Sequence, residues 1–339
     1  MSASSIPYHL RPHKSVDRRL FIDLLTRFER IKPLDHYVYI SMGAYPLEDH
    51  KMIHRQFGIK RLIAFDIDQD TVARQIFNKP IESCKCLTKK SGEIITELDR
   101  ILEKYGYETP DGIIFWLDYT NPRQIGHQIR EFQTLIDKLT PGDIVRITVN
   151  AHAADLLEDI DPEAPPMKKD EKRKKQFENL KSRIGEFLPA KASADDMTPE
   201  LLPILISRSF AKAALKAYPV NGDTVFTPLS IVRYADGQQM LSITGTLTYR
   251  NTESDLITKM GLESWPFTSS DWSTIHHLVV PSLTMRERLV LERGISTKNS
   301  EELIKDLGFE AAGDIKVADF LQSYRDYYRF YPTLLTAEV

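Results

Sequence analysis

Three short segments bring together residue types that can hold or react with a polar ligand. The first is Gly43, in Ser41-Met42-Gly43-Ala44-Tyr45-Pro46-Leu47. The second is Asp66-Ile67-Asp68, and the third is Asp118-Tyr119-Thr120-Asn121-Pro122. Each follows directly on an apolar run, so each is carried on a rigid support. A carboxylate such as Asp66 can accept hydrogen bonds from a pair of hydroxyls, and Asp118 can position an amine or take a hydroxyl proton, with Tyr119 and Asn121 beside it. Gly43 and Asp66 lie 23 residues apart, near the ~20 that separate a glycine turn from a ribose-binding carboxylate when both serve one nucleoside. Asp66 has a plainer reading as the cap of the next helix. A pyrophosphate needs close approach to a helix N-terminus through G-x-G-x-x-G, and that pattern is absent.

Other polar groups carry less chemistry. His50 and His54, four apart beside Glu48 and Asp49, have the spacing of a metal pair on one helical face. No third ligand is identifiable in the sequence, so both are expected to be solvated or capping, with no metal. Cys84 and Cys86 are the only cysteines: too few for a disulfide framework and two ligands short of a structural zinc site. Lys168, Lys169, Lys172, Arg173, Lys174, Lys175, Lys181 and Arg183 fall within sixteen residues. Such a run reads as a solvated helix, exposed and separable from the sheet; its sharper reading is an arm for nucleic acid, whose phosphates need clustered cations.

The elements that must position these residues alternate between short apolar runs and amphipathic stretches, the pattern of a parallel sheet flanked by helices. Strands are expected at 37–41, 61–66, 84–87, 112–117 and 143–150. Helices are expected at 47–57, 69–77, 92–105 and 125–139. A charged helix over 168–183 and a second over 199–218 follow, the loop 161–166 preceding them. Two long strands at 224–234 and 239–249 flank Ala235-Asp236-Gly237, a strong hairpin signal. Beyond Asn251 the expectation is a strand at 275–280, helices at 283–293 and 301–307, and an aromatic helix at 318–331 whose stripe Phe320, Tyr324, Tyr327, Tyr328 and Tyr331 packs a core. Upstream, Ser15 reads as the N-cap of an amphipathic helix.

With those residues in place, the chain resembles the class I S-adenosylmethionine-dependent methyltransferases over roughly residues 37–250. Leu62 to Asp68 matches the family's second strand, with Asp66 on the acid that binds both ribose hydroxyls and Ile67 on the apolar residue flanking adenine. Ser41 to Leu47 lies over the glycine-rich turn, with Gly43 on its first glycine, but Tyr45 and Leu47 stand at positions usually glycine. Asp118, Tyr119, Asn121 and Pro122 resemble, in altered order, the Asp/Asn-Pro-Pro-Tyr motif of amino-methylating members. The resemblance implies a Rossmann-like, mostly parallel α/β sheet with a terminal antiparallel hairpin, a helical insertion and a mixed C-terminal extension. It implies S-adenosylmethionine as cofactor, held by Gly43, Ala44, Asp66, Ile67 and Asp118, and catalysis by Asp118, Tyr119 and Asn121. In that family a segment before the first strand commonly covers the cofactor, here Tyr8 or Arg11.

The expected organisation is an N-terminal helical segment over 1–36, a methyltransferase-like domain over 37–250 with a helical insertion at about 151–218, and a mixed α/β extension over 251–339. The expected function is methyl transfer to an unidentified acceptor. The rival is a noncatalytic binding protein on a degenerate methyltransferase fold, with a nucleic-acid or protein partner. Leu283 to Gly308 also echoes the helix-turn-helix of quorum-sensing transcription factors, a short echo that ranks last. With 45 Lys and Arg against 48 Asp and Glu the net charge is -3, which excludes a uniformly basic nucleic-acid coat. No run approaches the ~20 apolar residues of a membrane span, and so few cysteines point to a reducing cytoplasm. Composition leaves the oligomeric state open.

Overall fold

The apolar runs become strands and the amphipathic stretches become helices that cover them. The computed structural model describes residues 11–157, 167–269, 271–280, 283–309 and 317–331; the expectations for Tyr8 and the loop 161–166 lie outside these. The strands are β1 (Val38–Ser41), β2 (Arg61–Asp66), β3 (Lys85–Thr88), β4 (Ile113–Asp118), β5 (Ile144–Asn150), β6 (Thr224–Asp236), β7 (Gln238–Tyr249) and β8 (His276–His277). The helices are α1 (Pro12–Phe28), α2 (Glu48–Phe57), α3 (Gln69–Asn78), α4 (Ser91–Thr96), α5 (Leu98–Lys104), α6 (Ile125–Lys138), α7 (Lys169–Ile184), α8 (Leu201–Ala217), α9 (Glu253–Met260), α10 (Met285–Gly294), α11 (Ser300–Leu307) and α12 (Val317–Tyr327).

The sheet runs in the order β3-β2-β1-β4-β5-β7-β6-β8. The strands from β3 to β5 pair in parallel, and β7 returns antiparallel on β5, from Ile144 opposite Thr246 to Asn150 opposite Met240. This is the Rossmann-like sheet with a terminal hairpin that the sequence predicts. The strand order reverses between β1 and β4, which opens a crevice beyond their carboxyl ends. On that edge Gly43 follows β1, and Asp66 and Asp118 end β2 and β4.

Alternation along the strands separates two buried faces. Val38, Ile40, Ile63, Phe65, Phe115, Leu117, Val145 and Ile147 point into one apolar core, shared with α4, α5, α6 and α8. Phe132 of α6 meets Phe210 and Phe226 edge-on, each at 5.2 Å, and such pairs add roughly 0.5–1.5 kcal/mol beyond area burial. The opposite face carries Tyr39, Trp116, Arg146, Thr148, Ser242 and Thr244, also buried. There Trp116 Nε1 donates to Thr148 Oγ1 at 3.1 Å, Thr148 and Ser242 share a bond of 2.9 Å, and Arg146 donates to Thr244 Oγ1 at 2.6 Å.

The chain divides into two compact units. One holds Ile22–Arg233 and Gly237–His276; the other holds Met1–Phe21, Tyr234–Asp236 and His277–Val339. Within the second, Asp236 accepts from the Lys14 backbone N–H at 2.9 Å and from His13 Nδ1 at 2.8 Å. His13 Nε2 accepts from the Val280 N–H at 3.0 Å. Thr284 caps α10 in a box with Glu287, and of the aromatic stripe Phe320, Tyr324, Tyr327 and Tyr331 are buried as their spacing predicts, while Tyr328 is only partly buried.

Several expectations need correction. The helix expected over 92–105 breaks at Glu97 into α4 and α5. Ser15 is not a cap, because α1 already starts at Pro12. The strand expected at 275–280 shortens to two residues, and α9 was not foreseen. His50 is neither solvated nor capping: it is 0% exposed. The charged helix α7 is not separable, since Gln176, Leu180 and Ile184 recur at i, i+4, i+8 and are buried. A Cβ on Gly126 of α6 would lie 1.8 Å from the Arg183 carbonyl oxygen, so α6 and α7 touch backbone to backbone. Lys168, Lys169, Lys172, Lys174, Lys175 and Lys181 stay exposed. Among the described residues no helix is long and apolar enough to cross a membrane, and no group of three or more His, Cys, Asp or Glu could hold a metal ion.

Candidate functional site

The turn after β1 is built without a second or third glycine. Gly43 takes φ 69°, and Ala44 and Leu47 follow at 41° and 54°. Side-chain-bearing residues in this region are uncommon and persist where surroundings over-determine them. Here Gln75 of α3, 0% exposed, donates from Nε2 to Met42 O at 3.0 Å and to Ala44 O at 3.3 Å. Asn78 donates to Tyr45 O at 3.2 Å, and the Arg74 guanidinium stacks 3.4 Å over the Tyr45 ring. Beneath Gly43 lies His50, with Nε2 3.1 Å from Ile63 O and its ring edge-on to Tyr39. Burial lowers the His50 pKa, so the ring is a neutral filler. Gln75 Oε1 and His50 Nδ1 are buried without a hydrogen-bond partner, two acceptors lodged around the turn.

At the end of β2 the two carboxylates part company. Asp68 caps α3, accepting from the Thr71 N–H at 2.8 Å and from Thr71 Oγ1 at 2.7 Å, and these bonds lower its pKa. Asp66 is therefore not the cap. It accepts at Oδ1 from the Asp68 N–H, 2.9 Å away; partial burial raises its pKa, while backbone N–H groups pull it back. Ile67, between them, is 65% exposed, a large apolar side chain standing beside a half-buried carboxylate at the crevice.

The loop after β4 divides its residues differently from the motif it resembles. Asp118 ends the strand, half-buried, opposite Thr148 of β5. Tyr119 turns away: its hydroxyl donates to Glu131 of α6, which also accepts from Ser91 Oγ at 2.8 Å and lies 3.2 Å from His127 Nε2. Burial, then the Glu131 charge, hold the Tyr119 hydroxyl far above its ordinary pKa, so it keeps its proton as a donor. Asn121 is exposed and accepts from the Arg123 N–H at 3.0 Å, capping the short 3-10 turn Pro122–Gln124.

Sequence reasoning missed the residues that hold this edge together. Asn150, at the end of β5 and 1% exposed, donates to Asp155 Oδ2 at 2.9 Å, to Thr120 O at 3.3 Å and to Gln238 Oε1 at 3.3 Å. It thus ties the loops after β4 and β5 to the start of β7. His152 follows, its N–H donating to Asn150 Oδ1 at 2.8 Å. The signal that could have found them is the polar run Asn150, His152, Asp155 closing an otherwise apolar strand. For Gln75 there was none, because a glutamine on an amphipathic helix reads as solvated.

In the solved structures, the chain is similar to LepI in complex with S-adenosylmethionine, at 11% identity and a TM-score of 0.32 over 62% of this chain and 43% of LepI. It thus spans less than half of LepI's length. It is similar to an S-adenosylmethionine-dependent methyltransferase from Anabaena variabilis, at 11% identity and 0.39 over 70% of this chain and 87% of that one. The plantazolicin methyltransferase BamL, in complex with a triazolic desmethyl-plantazolicin analogue and S-adenosylhomocysteine, gives 10% and 0.38 over 69% and 86%. No curated protein matches. The family described as "Putative O-methyltransferase" matches residues 6–339, nearly the whole chain, and the protein belongs to that family.

Proposed function

We propose that S-adenosylmethionine binds across the carboxyl ends of β1, β2 and β4 and that its methyl group passes to an acceptor hydroxyl. The observation that carries this reading is the division of labour at the end of β2. Asp68 caps α3, so the Asp66 carboxylate is left to accept from ribose hydroxyls, with exposed Ile67 beside it to cover the adenine. The left-handed turn at Gly43 and Ala44, braced by Gln75, presents backbone to the methionine portion, and the partnerless buried acceptors Gln75 Oε1 and His50 Nδ1 suit a neighbouring donor. These residues fit the cofactor. When bound it supplies an electrophilic methyl on a sulfonium, and the chain's task is to orient the acceptor within ~3–3.5 Å for in-line attack.

In this reading Asp118 aligns the acceptor from its rigid support on β4. Tyr119 and Asn121 act on the loop instead, one pinned to Glu131 and the other capping a turn. The acceptor itself is a hydroxyl compound of unassigned structure.

A calorimetric titration with S-adenosylhomocysteine tests the proposal. Charged hydrogen bonds contribute ~1.5–3 kcal/mol, so Asp66→Ala should weaken binding by about ten-fold or more. Wild-type protein that binds nothing at millimolar ligand would remove the cofactor reading and promote the noncatalytic rival.

A further inference from the structure

Hydroxyl acceptors hold their proton near neutral pH; a phenol, for example, has a pKa of about 10. A group poised to take that proton would therefore speed attack. One imidazole stands at the right edge of the sheet. His152 lies two residues beyond Asn150, and its Nδ1 is 3.4 Å from Asp155 Oδ2, with 41% of the side chain exposed. Nδ1 itself is buried and makes no hydrogen bond, so Asp155 acts on it by the proximity of its charge, and the exposed part is the remainder of the ring. Asn150 fixes both members, through the His152 N–H at 2.8 Å and Asp155 Oδ2 at 2.9 Å. The same amide reaches Thr120 O at 3.3 Å, two residues from Asp118. The pair is thus tied to the loop that would align the acceptor.

We propose that His152, oriented by Asp155, is the general base of the transfer; the assignment rests on the cofactor reading above. Asp155 favours the tautomer with the proton on Nδ1, which leaves the Nε2 lone pair outward. As the acceptor oxygen forms its bond to the methyl carbon, its O–H bond breaks and the proton passes to Nε2. The sulfur–methyl bond breaks with its electron pair staying on sulfur. The products are a methylated oxygen, neutral S-adenosylhomocysteine and an imidazolium that returns its proton to solvent. No oxidant or reductant is needed.

Charges around the ring are mixed. Asp155, on its own segment, brings a negative charge. Arg123, whose guanidinium reaches Leu157 O at 3.5 Å, and Arg183 of α7, which donates to Leu156 O at 3.0 Å, bring positive ones. Asn179 of α7 and Gln238 and Gln239 of β7 are uncharged neighbours.

The test is long-range proton–nitrogen NMR on the full-length 15N-labelled protein, with the His152 signals assigned by His152→Gln. The expected result is the Nδ1–H tautomer in the wild type. In Asp155→Asn, which keeps the size and removes the charge, that tautomer preference should be lost. Saturating S-adenosylhomocysteine should shift His152 together with the Gly43 and Asp66 amides. An Nε2–H tautomer in the wild type, a tautomer unchanged in Asp155→Asn, or a His152 signal unmoved while Gly43 and Asp66 shift would overturn the base and leave the cofactor site standing. If none of the three moves, the cofactor reading fails and the base falls with it. Asp155→Glu, which keeps the charge should Asp155→Asn fail to fold, is expected to keep the tautomer.

Discussion

Gly43→Ala separates two reasons why a glycine stands in the β1 turn. The first is backbone: φ is 69°, but Ala44 and Leu47 hold left-handed angles in the same turn, so a methyl group pays only the usual ~1–2 kcal/mol here. The second is space. A Cβ at position 43 would meet His50 Cε1 at 2.7 Å and Leu47 Cδ2 at 2.9 Å. His50 has nowhere to go, being fully buried, bonded to Ile63 O and edge-on to Tyr39. Forcing a methyl into a packed interior costs ~1–3 kcal/mol. The two contributions together give roughly 2–5 kcal/mol, or a melting temperature lower by roughly 4–10 °C for a unit of this size.

Calorimetry measures the melting, and titration with S-adenosylhomocysteine measures the turn, whose displaced backbone should cost at least about ten-fold in affinity, equivalent to ~1.4 kcal/mol. The decisive comparison is Gly43→Ala in a His50→Ala background. If the ring is what Gly43 makes room for, the double variant recovers the packing share and the two changes couple by ~1–3 kcal/mol. Strict additivity would refute the argument from space, and a Gly43→Ala protein that melts and binds as the wild type would refute both parts of it.

Other perturbations address the neighbouring elements. Tyr119→Phe removes one hydroxyl from the Glu131 cluster while Ser91 and His127 remain, so it should cost about 1 kcal/mol of stability and leave S-adenosylhomocysteine affinity within a few-fold; complete loss of binding would return Tyr119 to the ligand site. Gly126→Ala should destabilise far more than replacing Lys172, Arg173, Lys174 and Lys175 with Gln, because the Arg183 carbonyl stands 1.8 Å from the added Cβ; equal melting temperatures would make α7 the detachable helix that its charge implies. For Asp236, burial raises the pKa, but the His13 side-chain bond and the His13 and Lys14 N–H groups outweigh it, leaving the value below the ordinary 3.8. The folded state then binds fewer protons than the unfolded one between those two values, so this stabilisation is present above about pH 3.8 and is lost as pH falls through the lowered value. The melting difference between wild type and Asp236→Asn should therefore close on acidification, and a difference constant down to pH 2 would contradict it.

Much of the fold was legible because its signals are local. β2 occupies the predicted Arg61–Asp66, since a continuous apolar run bounded by polar residues has few other ways to bury itself. Ala235-Asp236-Gly237 announced the hairpin for the same reason. The failures are the places where a residue's state is set from elsewhere in the chain. Nothing near His50 reveals that Gly43 and Tyr39 close over it. Tyr119 sits in a motif-like loop, but its partner Glu131 is twelve residues on, past a 3-10 turn, and Ser91 comes from another helix. The buried stripe of α7 escapes notice because its register offers so few apolar positions: of Gln176, Leu180 and Ile184, at i, i+4 and i+8, one is polar, and burial needs the contact with α6 to show it.

The same distinction changes what the missing glycines mean. From sequence, Tyr45 and Leu47 at glycine positions read as erosion of a cofactor turn. In the structure the left-handed path is kept at Gly43, Ala44 and Leu47. The freedom glycine would give is replaced by constraint from outside: Gln75 on two carbonyls, Asn78 on a third, and Arg74 stacked on Tyr45. A turn under no demand would be expected to relax such backbone angles, since each non-glycine residue there costs of order 1–3 kcal/mol. That three side chains of α3 converge to hold them argues for a turn maintained in shape, and α3 is also the helix whose cap, Asp68, leaves Asp66 to the crevice. One helix therefore sets both ends of the proposed cofactor site, and its polar face at Gln75 and Asn78 is where that dependence is written.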